Sequence, residues 1–278
     1  MFDQRRLLIA TKHGKEQVIA PLLEKALGVS CFVSAEFDTD TLGTFSGEIP
    51  RKDDVLTTLR NKCLFALEKT DGDLVIASEG SFGPHPSVFF AHADDEWLLL
   101  MDTKNNLEIK VREISLETNF NAATLACETE LLDFAVKVGF PNHGLILRPS
   151  ENNFANLTKG ITDKATLIHH FRLLKQMHDS VYVETDMRAQ YNPTRMRVIA
   201  KAAQKLLEAV QSLCPQCSTP GFVVTDIKTG LPCEWCKSPT NSTLSHLYVC
   251  QKCAFKNEVH HPHQKQYEDP MYCHCCNP

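Results

Sequence analysis

Long hydrophobic runs are missing from this chain. No stretch of its 278 residues approaches the roughly 18 apolar residues that a membrane-spanning helix needs. Met1-Phe2-Asp3-Gln4-Arg5-Arg6 leads into only a brief apolar segment, so no signal peptide and no membrane partner are expected. An excess of positive charge is missing too. The 29 Lys and Arg against 34 Asp and Glu leave a net charge of −5, which argues against coating a phosphate backbone by bulk electrostatics. Arginine is absent from residues 214–278, where five Lys balance five Asp and Glu. Cysteine is scarce before residue 214. Cys31, Cys63 and Cys127 each stand among apolar neighbours and read as inert core thiols. With 43% hydrophobic and 23% charged residues, the composition suits one sizeable core plus a small second unit.

Nine of the 12 cysteines crowd into residues 214–278. Eight form Cys-x-x-Cys pairs: Cys214/Cys217, Cys233/Cys236, Cys250/Cys253 and Cys273/Cys276. A tight knuckle turns two thiolates three positions apart toward one point, and two knuckles supply the four sulfurs of a tetrahedral zinc. The spacings between pairs one and two, and between three and four, suit two short hairpins, which predicts two consecutive zinc ribbons. A cross-braced arrangement, pair one with three and pair two with four, is disfavoured because the spacings satisfy the simpler pairing. Either way no coordination position stays open, so both Zn2+ are expected to be structural. Cys275 is the spare thiol, and His260, His261 and His263 read as a solvated loop, although either can replace an assigned ligand. Metal rather than disulfides points to a reducing, cytoplasmic compartment.

Upstream, the pattern is α/β: a mixed sheet flanked by helices over residues 1–213, followed by a small C-terminal double zinc-ribbon domain over 214–278. A buried strand at residues 7–10, a polar turn and a helix over 16–27 ended by Gly28 open the chain. A strand over 31–37, a loop over 38–50, a helix over 53–69 and a central strand over 73–77 follow. Residues 78–86, rich in Gly and Pro, read as a loop. Lys104-Asn105-Asn106 marks a hairpin within 88–118. Helices are predicted over 123–138, from Thr162 to Met177, and over 194–213 behind Asn192-Pro193, with strands at 144–147 and 181–183.

Three clusters carry candidate chemistry. Thr11-Lys12-His13-Gly14-Lys15 joins two lysines and a hydroxyl to a helix N-terminus, a ready site for phosphate or simply a solvated turn. Glu79 leaves a buried strand among glycines, where a carboxylate can hold Mg2+, act as a general base or cap a turn. Arg188 and Arg195 flank the start of the last long helix. They form either a clamp on an anion or, through Asp186, an ion pair that pins that helix.

Ile9-Ala10-Thr11-Lys12-His13-Gly14-Lys15, a helix carrying Arg60-Asn61-Lys62 and Ala66, and the strand Asp73-Leu74-Val75-Ile76-Ala77 running into Ser78-Glu79-Gly80 resemble, in order, the opening motifs of inosine/xanthosine triphosphate pyrophosphatases. The resemblance covers about the first ninety residues. His13 stands where that family has Asn, and residues 144–213 have no counterpart. It implies that Thr11, Lys12 and Lys15 bind a triphosphate while Asp54 and Glu79 share Mg2+. Over its whole length, from Glu-Gly-Ser-Phe-Gly-Pro-His-Pro through Asp-Met-Arg-Ala and Asn-Pro-Thr-Arg-Met to the terminal Cys-Asn-Pro, the chain resembles an uncharacterised bacterial family ending in cysteine pairs. The leading expectation is a metal-dependent hydrolase of a nucleotide or other phosphorylated small molecule. A zinc-stabilised scaffold and a nucleic-acid-binding ribbon protein are the alternatives, the latter disfavoured by a neutral tail without arginine.

Overall fold

The structure, a computed structural model, describes residues 1–11, 13–34, 53–88 and 90–278. Lys12, the end of the expected strand at 35–37 and the loop at 38–50 therefore lie outside the described residues. The chain forms two compact units, Met1–Leu207 and Glu208–Pro278.

Among the described residues the first unit holds two sheets. The first contains β1 (Arg6–Ala10), β2 (Ser30–Phe32), β3 (Leu74–Pro84), β4 (His92–Asp102) and β5 (Leu107–Ser115), in the order β2-β1-β3-β4-β5. It is mixed, because β1 is parallel to β2 and β3 while β3, β4 and β5 run antiparallel. The helices α1 (Glu16–Leu27) and α2 (Val55–Lys69) make the two crossovers, one to each side of β1. Right-handed crossovers in opposite directions put these helices on opposite faces of the sheet. Leu59, Cys63 and Ala66 of α2 pack with Leu8, Ala10, Val75, Ala77, Leu99 and Met101. Strand alternation fixes the rest: Glu79 follows Val75 and Ala77 onto the α2 face, while Ser78 and Gly80 point to the other. Arg5, just before β1, reaches the start of β3 and the end of β4, donating to Asp73 and Asp102 at 2.6–2.8 Å.

The second sheet contains β6 (Ala122–Leu125), β7 (Leu145–Arg148), β8 (Thr158–Ile161) and β9 (Val181–Thr185), in the order β6-β9-β7-β8 with every pair antiparallel. Leu131 and Phe134 of α3 (Glu128–Lys137) and Leu167, Phe171 and Leu174 of α4 (Lys164–Lys175) cover one face against Leu145, Leu147, Val181 and Val183. The helix α5 (Pro193–Gln211) begins where expected, with Asn192 Oδ1 accepting the Arg195 N–H at 3.0 Å.

Two local expectations are corrected. Residues 78–84 are not a loop: β3 continues through Pro84, paired residue by residue with β4. The segment read as the start of a helix at 123 is strand β6, paired with β9, and α3 begins only at Glu128.

The second unit is a three-stranded antiparallel meander, β10 (Val224–Thr229), β11 (Thr243–Val249) and β12 (Lys256–His260). Its core is small: Phe222, Tyr248 and Phe255 gather around Cys214, Cys250 and Cys253. Among the described residues, no helix is long and apolar enough to cross a membrane.

Candidate functional site

Each of the first three Cys-x-x-Cys pairs folds into the same knuckle. The residue after the second cysteine, Ser218, Lys237 or Ala254, takes a left-handed backbone with φ of 57–62°, and its N–H returns to the carbonyl of the first cysteine at 2.8–3.1 Å. In the fourth pair Asn277 N–H makes the same bond to the Cys273 carbonyl. The turn aims both sulfurs outward from one loop.

The sulfurs meet in two sets: Cys214, Cys217, Cys250 and Cys253 in one, Cys233, Cys236, Cys273 and Cys276 in the other. Cross-pair Sγ separations are 3.5–3.8 Å. A tetrahedral ion with metal–sulfur bonds of about 2.3 Å requires about 3.8 Å between sulfurs, so both clusters have the dimensions of a four-thiolate metal site. Two hydroxyls prepare the ligands. Thr219 lies 3.2 Å from Cys217 Sγ. Its hydrogen bond, and that of Ser238 to Cys236, draw each of these thiols down to about 6, toward the thiolate form that a metal ligand must take. Cys275 is exposed and outside both clusters, and His260, His261 and His263 also lie outside them.

The expected pairing was consecutive, and the structure overturns it: pair one joins pair three, and pair two joins pair four. The spacing between pairs one and two holds one strand, β10, and not a hairpin. A strand of six residues carries the chain about 20 Å. Successive knuckles therefore land at opposite ends of the sheet, and only knuckles two strands apart can share an ion.

In the first unit the turn at Gly14, with φ 75°, brings Lys15 to the N-cap of α1, where it makes no capping hydrogen bond. Its amine instead bonds Ser78 Oγ at 2.8 Å, from the end of β1 to the strand beside it. Lys15 is buried, and that burial, with Arg195 nearby, pulls its amine down to about 7 against the opposing pull of Glu96 and Glu79. Thr11 is buried in the same loop. Glu79 is ion-paired with Lys62 of α2, on the far face.

Arg195 lies opposite, fully buried, with its Nε 2.6 Å from Glu96 Oε1 and its guanidinium 5.1 Å over the ring of Phe82. Gly80 is demanded by this pair: a Cβ there would sit inside the contact distance of both Glu96 Oε1 and Arg195 Nη2. Asp94 shares the face two residues before Glu96 and is completely buried. Burial, and then the charge of Glu96, push its carboxyl up to about 8.

Not every expected group belongs here. Asp54 is the N-cap of α2, exposed, accepting from the N–H groups of Leu56 and Thr57 and from the Thr57 hydroxyl. It starts α2 about 12 Å of helix rise before Lys62, the partner of Glu79. No group of three or more His, Cys, Asp or Glu donors among the described residues includes Asp54 or Glu79. Arg188 is locked on Asp186 through Nε and Nη2 at 2.6–3.2 Å, with its guanidinium 4.6 Å over Tyr191. The ion pair foreseen for Asp186 thus forms with Arg188, and Arg195 goes to Glu96. Sequence reasoning missed Ser78, Asp94 and Glu96. Their signal was alternation: Asp94 and Glu96 share a parity with Leu98 and Leu100, both buried.

Residues 62–278 match the sequence model of a family described as a domain of unknown function, DUF6671. The chain belongs to the DUF6671 family. The DUF6671 match takes in Lys62, Glu79, Asp94, Glu96, Arg195 and all eight clustered cysteines, while Thr11 and Lys15 precede it. No curated protein matches the chain.

Proposed function

We propose that this DUF6671 chain is a divalent-metal-dependent hydrolase of a nucleotide or another phosphorylated small molecule, with two structural Zn2+ in its second unit. The observation that carries the reading is the Lys15–Ser78 hydrogen bond. It spans β1 and β3 where the chain's crossovers diverge, to β2 on one side and β3 on the other. In open α/β sheets, ligands bind at the carboxyl ends of the parallel strands at such a switch point. Lys15 and Thr11 of the same loop supply an amine and a hydroxyl beside the start of α1, whose N-terminus favours a phosphate group. Glu79 and Lys62 flank the same strand end on the other face, and the order of these motifs resembles that of inosine/xanthosine triphosphate pyrophosphatases.

Zinc is proposed for the second unit because eight thiolates in two tetrahedral sets are a soft, closed donor set. Such thiolates persist in a reducing compartment, which makes the cytoplasm the proposed location.

The test is a screen of the full chain against nucleoside triphosphates and phosphate monoesters with Mg2+. Turnover is expected, and Lys15→Met should lower kcat/KM by about 100-fold or more. No turnover across the whole panel ends the reading.

A further inference from the structure

We propose that Asp94 and Glu96 form a binding site for one hard divalent cation, Mg2+ or Mn2+, on the face of the first sheet turned away from α2. Both side chains are fully buried, and their positions two apart on β4 put them on one face. Arg195 satisfies Glu96 Oε1. Glu96 Oε2 and both oxygens of Asp94 are buried with no hydrogen-bond donor among the described residues.

A buried acceptor left without a donor is costly, and native folds leave very few. Three carboxylate oxygens in one place therefore need an occupant. A proton shared between the two carboxyls bonds one oxygen of each and leaves the third bare. A divalent cation between them can engage all three, since carboxylate oxygens are the ligands that Mg2+ and Mn2+ prefer.

The surroundings suit an ion that also meets a phosphate. The charges of Lys15 and Arg195 both act on Asp94, so cationic groups and the carboxylates share one neighbourhood. Mg2+ typically sits on one or two carboxylates and takes its remaining ligands from water and substrate phosphates. The site lies on β4, and neither Asp54 nor Glu79 contributes to it. Its role in turnover rests on the hydrolase reading above, but binding of the ion does not.

The experiment titrates Mn2+ alone into the zinc-loaded full chain and follows free Mn2+ by electron paramagnetic resonance. One Mn2+ per chain is expected, displaced by Mg2+, with affinity at least tenfold weaker in Asp94→Asn. No binding to the wild-type chain, or equal affinity in a folded Asp94→Asn, overturns the site. On the wild-type chain, Fe2+ with ascorbate and peroxide should cut the backbone beside residues 94–96, which keeps the test independent of the variant's folding. Cuts only elsewhere overturn the proposal. Mn2+ bound at Asp94 in a chain that turns over no phosphorylated compound supports the site and rejects the hydrolase. Turnover without Mn2+ binding does the reverse.

Discussion

Glu184 shows how a single buried side chain can set a pH dependence. It projects from β9 beside Arg148, whose Nη2 lies 3.2 Å from Glu184 Oε2. Burial is the larger influence and pushes the carboxyl from 4.5 up to about 7, against the pull of Arg148. The folded chain therefore keeps a proton that the unfolded chain gives up at about 4.5. Between these two values stability falls as pH rises, and above about 7 the full loss is present. The shift corresponds to at most about 3 kcal/mol, reduced by whatever solvent reaches the side chain. Glu184→Gln should gain about 1–3 kcal/mol relative to wild type on going from pH 5 to pH 8, read by urea denaturation. A wild-type to variant difference that is the same at both pH values would refute this.

At the scale of elements, α2 separates two roles for an aspartate that look alike in sequence. Asp54 was legible as a helix start because Asp53 and Asp54 precede an apolar run, and the same carboxylate also fitted a metal site by resemblance. The structure assigns its oxygens to Leu56 and Thr57. Asp54→Ala should then lower the melting temperature of the first unit by about 2–4 °C, the usual effect of a lost cap in a domain of this size. Its Mn2+ affinity should stay that of the wild type; a tenfold loss would return Asp54 to the metal site. Other elements were less legible for a common reason. Residues 78–84 carry the Gly and Pro of a loop, and Ala122-Ala123-Thr124-Leu125 the local preference of a helix, yet each is a strand because a partner far away in sequence pairs with it. The Ser78, Asp94 and Glu96 neighbourhood was hidden by the same long-range register, which sets Gly80 against Glu96 and Phe82 against Asp94. Lys15, Glu79 and Arg195 stood out by residue type, but their partners Ser78, Lys62 and Glu96 did not.

For the molecule as a whole, the metal ligands were legible while their connectivity was not, since spacing identifies a knuckle and the count of intervening strands decides which knuckles meet. The interleaved pairing makes the second unit one cooperative body. Each of β10, β11 and β12 runs from one cluster to the other, and both β10 and β12 are exposed along their whole length. A small aromatic group packs beside the first cluster, so the two proposed ions would supply most of the sheet's order. Releasing one cluster frees the ends of all three strands and with them the knuckles that build the other. Cys236→Ser, which removes a ligand only from the Cys233–Cys276 cluster, should therefore reduce zinc from two per chain to well below one by elemental analysis. Cys275→Ser should keep both ions. Two independent consecutive ribbons would instead retain one zinc in Cys236→Ser, and a measured content of one would show that the clusters fold separately despite their interleaving.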